Sequence, residues 1–187
     1  MSPLANPHGL LQNRPAIPSR DGREQRPVYH YTTGDRMLGI LGDRLIQVAH
    51  ANVEPPEIPA VWFSTAGDWE RSATKGVIID GRRRQATLDE LVSICGCLVR
   101  IQIDPDQVAL IAPFDMRRKL RIPQPVFTRL IEAGMEMGAD PMQWRAVASP
   151  VPLSAILQVE TACGLLRWTP LVPRDSEHGT TILQGSA

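Results

Sequence analysis

The spacing of apolar and polar residues predicts a chain built mainly from short strands. β-Branched and aromatic residues cluster, or alternate with polar ones, between Pro, Gly and Asp breakers, which is typical of strands. The expected strands are residues 28–33, 45–49, 61–65, 98–104, 144–148 and 156–160.

Helical spacing occurs in few places. Residues 34–42 have an apolar face and end at Gly42, and residues 125–138 have Pro125 in the first turn. A short polar helix capped by Asp68 is expected through residue 75, and a helical turn at residues 87–92. The run Arg82-Arg83-Arg84 between them is expected to be a loop. Because strands outnumber short helices, the pattern predicts an α+β fold with a curved, mostly antiparallel sheet.

Proline and apolar residues are distributed as expected for one domain between two unfolded ends. Residues 1–26 are rich in proline and poor in apolar residues, which favours a disordered leader. Residues 27–173 form the expected single globular domain, and residues 174–187 a loose polar tail. A chain of 187 residues is long enough to bury a core without staples.

Charge and cysteine content narrow the classes of function. The 20 basic residues balance the 20 acidic ones, which argues against a general binder of nucleic acid or membrane surfaces. No apolar run approaches the roughly 20 residues of a membrane span, so no membrane partner is expected. Cys95, Cys97 and Cys163 lack zinc-site spacing and are expected to be reduced thiols in a cytoplasmic protein, with Cys95 and Cys97 near a core strand.

Two of the predicted strands carry candidate chemistry. His30 lies between Tyr29 and Tyr31 on the first strand, and aromatic residues run into hydroxyls at Trp62-Phe63-Ser64 on another. The ends of two such strands can converge on one pocket. His30 is equally consistent with a satisfied core histidine. Adjacent strand residues point to opposite faces, so only one of Trp62 and Phe63 is expected to line the pocket.

These segments resemble the ADP-ribosyltransferase superfamily, in particular bacterial branches that open with an aromatic-His-aromatic-Thr strand. Tyr29-His30-Tyr31-Thr32, a short helix and then Leu45-Ile46 resemble that opening. Val61-Trp62-Phe63-Ser64-Thr65 with Trp69-Glu70, and later Trp144 with Pro150-Val151-Pro152, resemble motifs of related uncharacterised bacterial proteins. The resemblance spans roughly residues 28–160 and implies an ADP-ribosyltransferase-like fold that binds NAD.

The resemblance also implies a role for each matching residue. His30 is expected to bind a ribose hydroxyl of NAD, with Tyr31 and Thr32 beside it. Trp62 or Phe63 is expected to pack on the nicotinamide ring, next to Ser64. A carboxylate on a later strand is expected to stabilise the positive charge that develops on the ribose.

The chain departs from this pattern at the expected acid. Ser149 stands where the relatives have a glutamate before Pro-Val-Pro, and a hydroxyl carries no charge. Ser149 is therefore retained only as a candidate cofactor-binding residue. Glu160 is the first substitute considered as catalytic acid, with Glu70 and Asp68 as others, although Glu70 is expected on a solvated helix face. The arginine-rich segments at 82–84 and 117–121 could bind phosphates.

Three functions follow as alternatives. The first is a NAD-dependent ADP-ribosyltransferase-like protein that modifies a macromolecular target, protein or nucleic acid, as a bacterial toxin or phage-related effector. The second is a catalytically degenerate module that binds NAD or a partner, since Ser149 replaces the acid. The third is an RNA 2′-phosphotransferase-like enzyme that uses His30 and the arginine clusters.

Overall fold

An antiparallel sheet of six strands organises the structure, a computed structural model that describes residues 26–74, 76–79, 81–163 and 167–171. In chain order the strands are β1 (Val28–Thr33), β2 (Leu45–Ile46), β3 (Val61–Ser64), β4 (Gly76–Ile79), β5 (Arg82–Gln85), β6 (Leu98–Ile103), β7 (Trp144–Val147), β8 (Val151–Pro152), β9 (Ile156–Ala162) and β10 (Thr169–Pro170). The six-stranded sheet has the order β10-β9-β6-β1-β3-β7, and β2 with β8 and β4 with β5 form separate pairs.

The described residues also form four short α-helices. They are α1 (Gly34–Asp43), α2 (Leu88–Cys95), α3 (Pro113–Lys119) and α4 (Gln124–Glu136). Helix α2 begins with a capping box, in which the Thr87 hydroxyl accepts from the Glu90 amide and the Glu90 carboxylate accepts from the Thr87 amide. Among the residues described here, no helix has the length and apolar character needed to cross a membrane.

The predicted α+β class with a mostly antiparallel sheet is confirmed, as are most of the long elements. Two local predictions were wrong. The segment after Asp68 forms only a three-residue 3-10 helix, Arg71–Ala73, capped by Glu70. The arginine run lies in β5 and not in a loop. Cys95 at the end of α2 and Cys97 just before β6 are both partly buried against apolar clusters. Residues 1–25 of the predicted leader and all of the predicted tail lie outside the described residues.

The two faces of the sheet bury different residues. Register places Val28, His30 and Thr32 of β1 opposite Ile103, Ile101 and Val99 of β6 on one face. On that face the main apolar core also buries Ile46 and Phe63. Two further clusters lie on the other face, one around Trp144 and α4 and one around Trp69 and α2.

A buried ion pair ties several elements together on the second face. The Arg100 Nε donates to Glu160 Oε2 at 2.5 Å, and the two side chains are 6% and 1% exposed. The Arg100 guanidinium lies 4.8 Å from the Tyr29 ring centre and 4.7 Å from that of Trp168, and it also donates to the Gly67 carbonyl. One side chain therefore connects β1, β6, β9, the loop after β3 and the segment that contains Trp168.

Removing one partner of this pair should strongly destabilise the fold. Glu160→Gln leaves the Arg100 charge buried without its counter-charge, so the free energy of unfolding should fall by about 3 kcal/mol or more. Chemical denaturation measures this change. Asp115→Asn is the matched control: Asp115 pairs with Arg118 and Lys119 on the exposed surface, where ion pairs contribute little, so this variant should cost far less than Glu160→Gln. Equal costs for the two variants would contradict the structural role assigned to the buried pair.

Candidate functional site

A cavity opens where β1 and β3 separate. The two strands pair at a single position, Tyr29 opposite Ser64, whereas β1 and β6 pair along their whole length. Beyond that position, residues 30–33 of β1 and residues 61–63 of β3 form facing walls of a cavity of about 630 Å³. This volume is typical of small-molecule sites, which span roughly 300–1,000 Å³. The missing strand pairing therefore provides room for a ligand in the centre of the sheet.

The imidazole of His30 bridges the separated strands. Its Nδ1 lies 2.9 Å from the Trp62 carbonyl oxygen, and its ring contacts the Phe63 ring edge-on with 5.7 Å between centres. A carbonyl oxygen only accepts hydrogen bonds, so Nδ1 must carry a hydrogen. In the neutral ring Nε2 is then the accepting nitrogen. His30 is held in one orientation by both strands while it lies on the cavity wall.

Aromatic side chains of both sheet faces contribute to the cavity wall. The cavity lies between two separated strands, so residues whose side chains point to either face of the sheet can line it. Trp62 and Phe63 both lie on the wall, so the expectation that only one of them would do so was wrong. The aromatic residues of the wall are Tyr29, Tyr31, Trp62, Phe63, Trp69 and Trp144. Such a wall suits flat, aromatic ligand groups.

Glu70 is a buried carboxylate on this wall. Glu70 is only 7% exposed. It lies on the cavity wall and not on the solvated helix face that the sequence suggests. Glu70 Oε1 accepts hydrogen bonds from the Trp144 indole at 3.2 Å, the Ser72 hydroxyl at 2.7 Å and the Ser72 amide at 3.2 Å. These donors all use one oxygen, which fixes the carboxylate and leaves its charge within the cavity region.

Tyr31 lies between the cavity and the Arg100 cluster. Its hydroxyl donates to the Ala66 carbonyl, and its ring packs edge-on against Trp69 at 5.1 Å. Burial raises the pKa of the Tyr31 hydroxyl well above its ordinary value, Arg100 opposes this shift, and the nearby Glu70 charge adds to it. Tyr31 is therefore a neutral hydrogen-bond donor that anchors the loop leading to Glu70.

Several residues predicted for the site lie elsewhere. Ser64 is fully buried and accepts from the Ala66 amide at 3.1 Å, so it shapes the end of β3. Ser149 is exposed in the bend after β7, and Glu160 is paired with Arg100. None of these three belongs to the cavity wall, whereas Thr32 does. The structure thus brings together His30, Tyr31, Thr32, Trp62 and Phe63 of the predicted set.

Charged groups on the wall are few. Within the described part of the chain they are Arg36 and Asp43 of α1 and the buried Glu70. The arginines at 82 and 84 and at 117, 118 and 121, expected as phosphate ligands, do not belong to it. The described residues also contain no group of three or more His, Cys, Asp and Glu side chains that could hold a metal ion. The part of the wall that the structure describes is thus mostly apolar, with one arginine and two carboxylates.

Comparison with known proteins gives no relative: no family model, no curated protein and no solved structure matches the chain.

Replacing Gly134 should disturb the support of Glu70. Gly134 of α4 faces the Trp144 indole, and a Cβ there would lie 2.5 Å from two of its ring carbons. Gly134→Ala should therefore lower the free energy of unfolding by about 1–3 kcal/mol, as expected for overpacking. Gly42→Ala is the control, because nothing lies near that Cβ and alanine should gain about 0.5 kcal/mol in a helix. Urea unfolding measures both, and a neutral Gly134→Ala would contradict the tight contact.

The raised pKa of Tyr31 predicts a pH effect with a defined sign. The folded state holds the phenol proton more tightly than the unfolded state, whose tyrosines titrate near pH 10.0. The free energy of unfolding should therefore fall above pH 10, by up to about 1.4 kcal/mol per pH unit from this group. Tyr31→Phe loses a hydrogen bond at every pH but has no such titration. Its stability deficit against the wild type should shrink between pH 10 and 11, and a constant deficit would contradict the assignment.

Proposed function

We propose that the chain is an ADP-ribosyltransferase-like protein that binds NAD in the cavity between β1 and β3. The observation that carries the proposal is the shared wall of the oriented imidazole of His30, six aromatic residues and the buried carboxylate of Glu70. The resemblance of residues 28–33 and 61–65 to the strand motifs of that superfamily supports the same assignment.

The wall residues fit the parts of NAD by chemical type. The aromatic side chains suit the nicotinamide and adenine rings, and His30 is the candidate partner of a ribose hydroxyl. Arg36, the cation described on the wall, is the candidate partner for the pyrophosphate. Because Arg36 is the only arginine of the wall among the residues that the structure describes, we expect NAD affinity to depend mainly on the rings and riboses.

Glu70 is the best candidate for the acid that replaces the glutamate missing at position 149. In the proposed reaction the bond between the ribose C1′ and the nicotinamide nitrogen breaks, and nicotinamide leaves with the electron pair. Positive charge then develops on the ribose, where a fixed carboxylate stabilises it. A hydroxyl or amine of the target, or a water molecule, attacks C1′, and its proton is released to solvent. The hydrogen bonds from Trp144 and Ser72 hold the carboxylate in place for this role.

Two substitutions separate binding from catalysis. We expect His30→Ala to weaken NAD binding by about tenfold, because the substitution removes about one hydrogen bond to the ligand. Glu70→Gln should keep NAD affinity within a few fold and reduce nicotinamide release by about 10²–10³, since the stabilising charge is lost. Calorimetry with NAD and chromatographic measurement of released nicotinamide follow the two effects.

The control is Glu136→Gln, which makes the same chemical change at an exposed position of α4. It should alter neither NAD binding nor nicotinamide release. Absence of NAD binding by the wild type at millimolar concentration would overturn the whole proposal.

A catalytically degenerate NAD-binding module is the second candidate. The observation that favours it is that Glu70 Oε1 accepts hydrogen bonds from three donors. A carboxylate with a purely structural role would show the same hydrogen bonds. This candidate predicts NAD binding without nicotinamide release in the wild type. The RNA 2′-phosphotransferase-like alternative uses His30 together with the arginine clusters. His30 lies on the wall, whereas none of the cluster arginines that the structure describes does.

A further inference from the structure

Two cysteines lie just beyond the adjacent ends of β6 and β9. The antiparallel register ends with Leu98 opposite Ala162, and Cys97 and Cys163 are the next residues beyond that last pair. Directly opposed residues of antiparallel strands have Cα atoms about 4.5–5.5 Å apart. A disulfide needs about 4.4–6.8 Å between Cα atoms, so two residues that continue this register meet its backbone requirement.

The side chains are placed to react with each other. Both cysteines are free in the structure, and the Cys97 thiol has the Cys163 thiol as a close neighbour. Cys163 is exposed, whereas Cys97 is partly buried. Burial raises the pKa of the Cys97 thiol, and contact with Cys163 adds to the shift. Cys163 is thus the thiol that an oxidant in solution reaches first, with Cys97 beside it to resolve the product.

We propose that Cys97 and Cys163 are a redox modification site that closes into a cross-strand disulfide on reaction with a hydroperoxide. The Cys163 thiolate attacks the terminal peroxide oxygen, the O–O bond breaks, and a sulfenic acid forms with release of an alcohol or water. The Cys97 thiolate then attacks that sulfur, and hydroxide leaves and takes up a proton as water. Overall two thiols are oxidised by two electrons and the peroxide is reduced.

The pair lies next to the helix that carries the cation of the cavity wall. The Gly34 amide, at the start of α1, donates to the Cys97 carbonyl at 3.1 Å. A Cβ on Gly34 would lie 2.8 Å from the Cys97 sulfur, so the sulfur packs directly on the helix start. Arg36 follows two residues later on the wall. Oxidation would therefore take place directly beside α1. The thiol chemistry itself does not require that NAD binds.

Thiol titration tests the site directly. The full chain is treated with hydrogen peroxide, denatured, and titrated with a chromogenic disulfide reagent. The wild type should fall from three free thiols to one, and dithiothreitol should restore three. Cys95→Ser should fall from two to none, whereas Cys163→Ser should keep both of its thiols under the same treatment. Peptide mapping without reductant should recover the Cys97–Cys163 linkage from monomeric protein.

Other results would overturn the proposal. The proposal is overturned if the wild type keeps three thiols at a peroxide concentration that fully oxidises glutathione. Loss of both thiols from Cys163→Ser would instead assign the bond to Cys95 and Cys97. A disulfide-linked dimer on a non-reducing gel, or thiol loss that dithiothreitol does not reverse, would likewise contradict an internal disulfide. Because no outcome involves NAD, the result is independent of the proposed function.

Discussion

The site depends on the separation of β1 from β3 after one paired position. A continuous ladder between these strands would close the centre of the sheet and leave no space for a ligand. Instead the His30 side chain reaches the Trp62 carbonyl and satisfies a backbone acceptor that strand pairing would otherwise use. The same hydrogen bond orients the imidazole. One interaction thus limits the separation of the strands and places the nitrogen-bearing ring in the resulting gap.

The Arg100 cluster supports the far side of this gap. Arg100 contacts the Tyr29 ring, pairs with Glu160 and donates to Gly67, so it links the strongly paired half of the sheet to the loop after β3. That loop is also fixed by the Tyr31 hydroxyl at Ala66 and leads to Glu70. A buried ion pair is costly to form from solvated charges, and here its hydrogen bonds and aromatic neighbours compensate that cost. Its role is to position the loop that bears the carboxylate.

The elements that the sequence predicted correctly are those whose own residues favour the observed conformation. β1 was predicted with its observed bounds, because β-branched and aromatic residues fill it between Pro27 and Gly34. β5 was missed since a run of arginines has no apolar alternation, and its strand conformation depends on pairing with β4. Helix α3 was also not predicted: only Met116 of its seven residues is buried, so its apolar pattern is weak.

Some residues of the candidate site could likewise be identified from a local motif, whereas others are placed there only by contacts between distant parts of the chain. His30, Trp62 and Phe63 could be identified because each lies within a short, recognisable strand motif. The burial of Glu70 could not, since its indole donor Trp144 is 74 residues away and no local window contains both. Glu160 was the more attractive acid in sequence because it ends an apolar strand. Register, however, places it opposite Arg100, and the pairing of these two charges removes it from the wall.

Binding of NAD in the gap between β1 and β3 can be followed by NMR titration of the isotopically labelled chain. We expect saturable shifts of the backbone amides at residues 30–33 and 61–63, with the Trp62 and Trp144 indole resonances among those that move. Shifts confined to the arginine-bearing segments at 82–85 or 117–121, or no shifts at millimolar NAD, would show that the gap does not bind NAD.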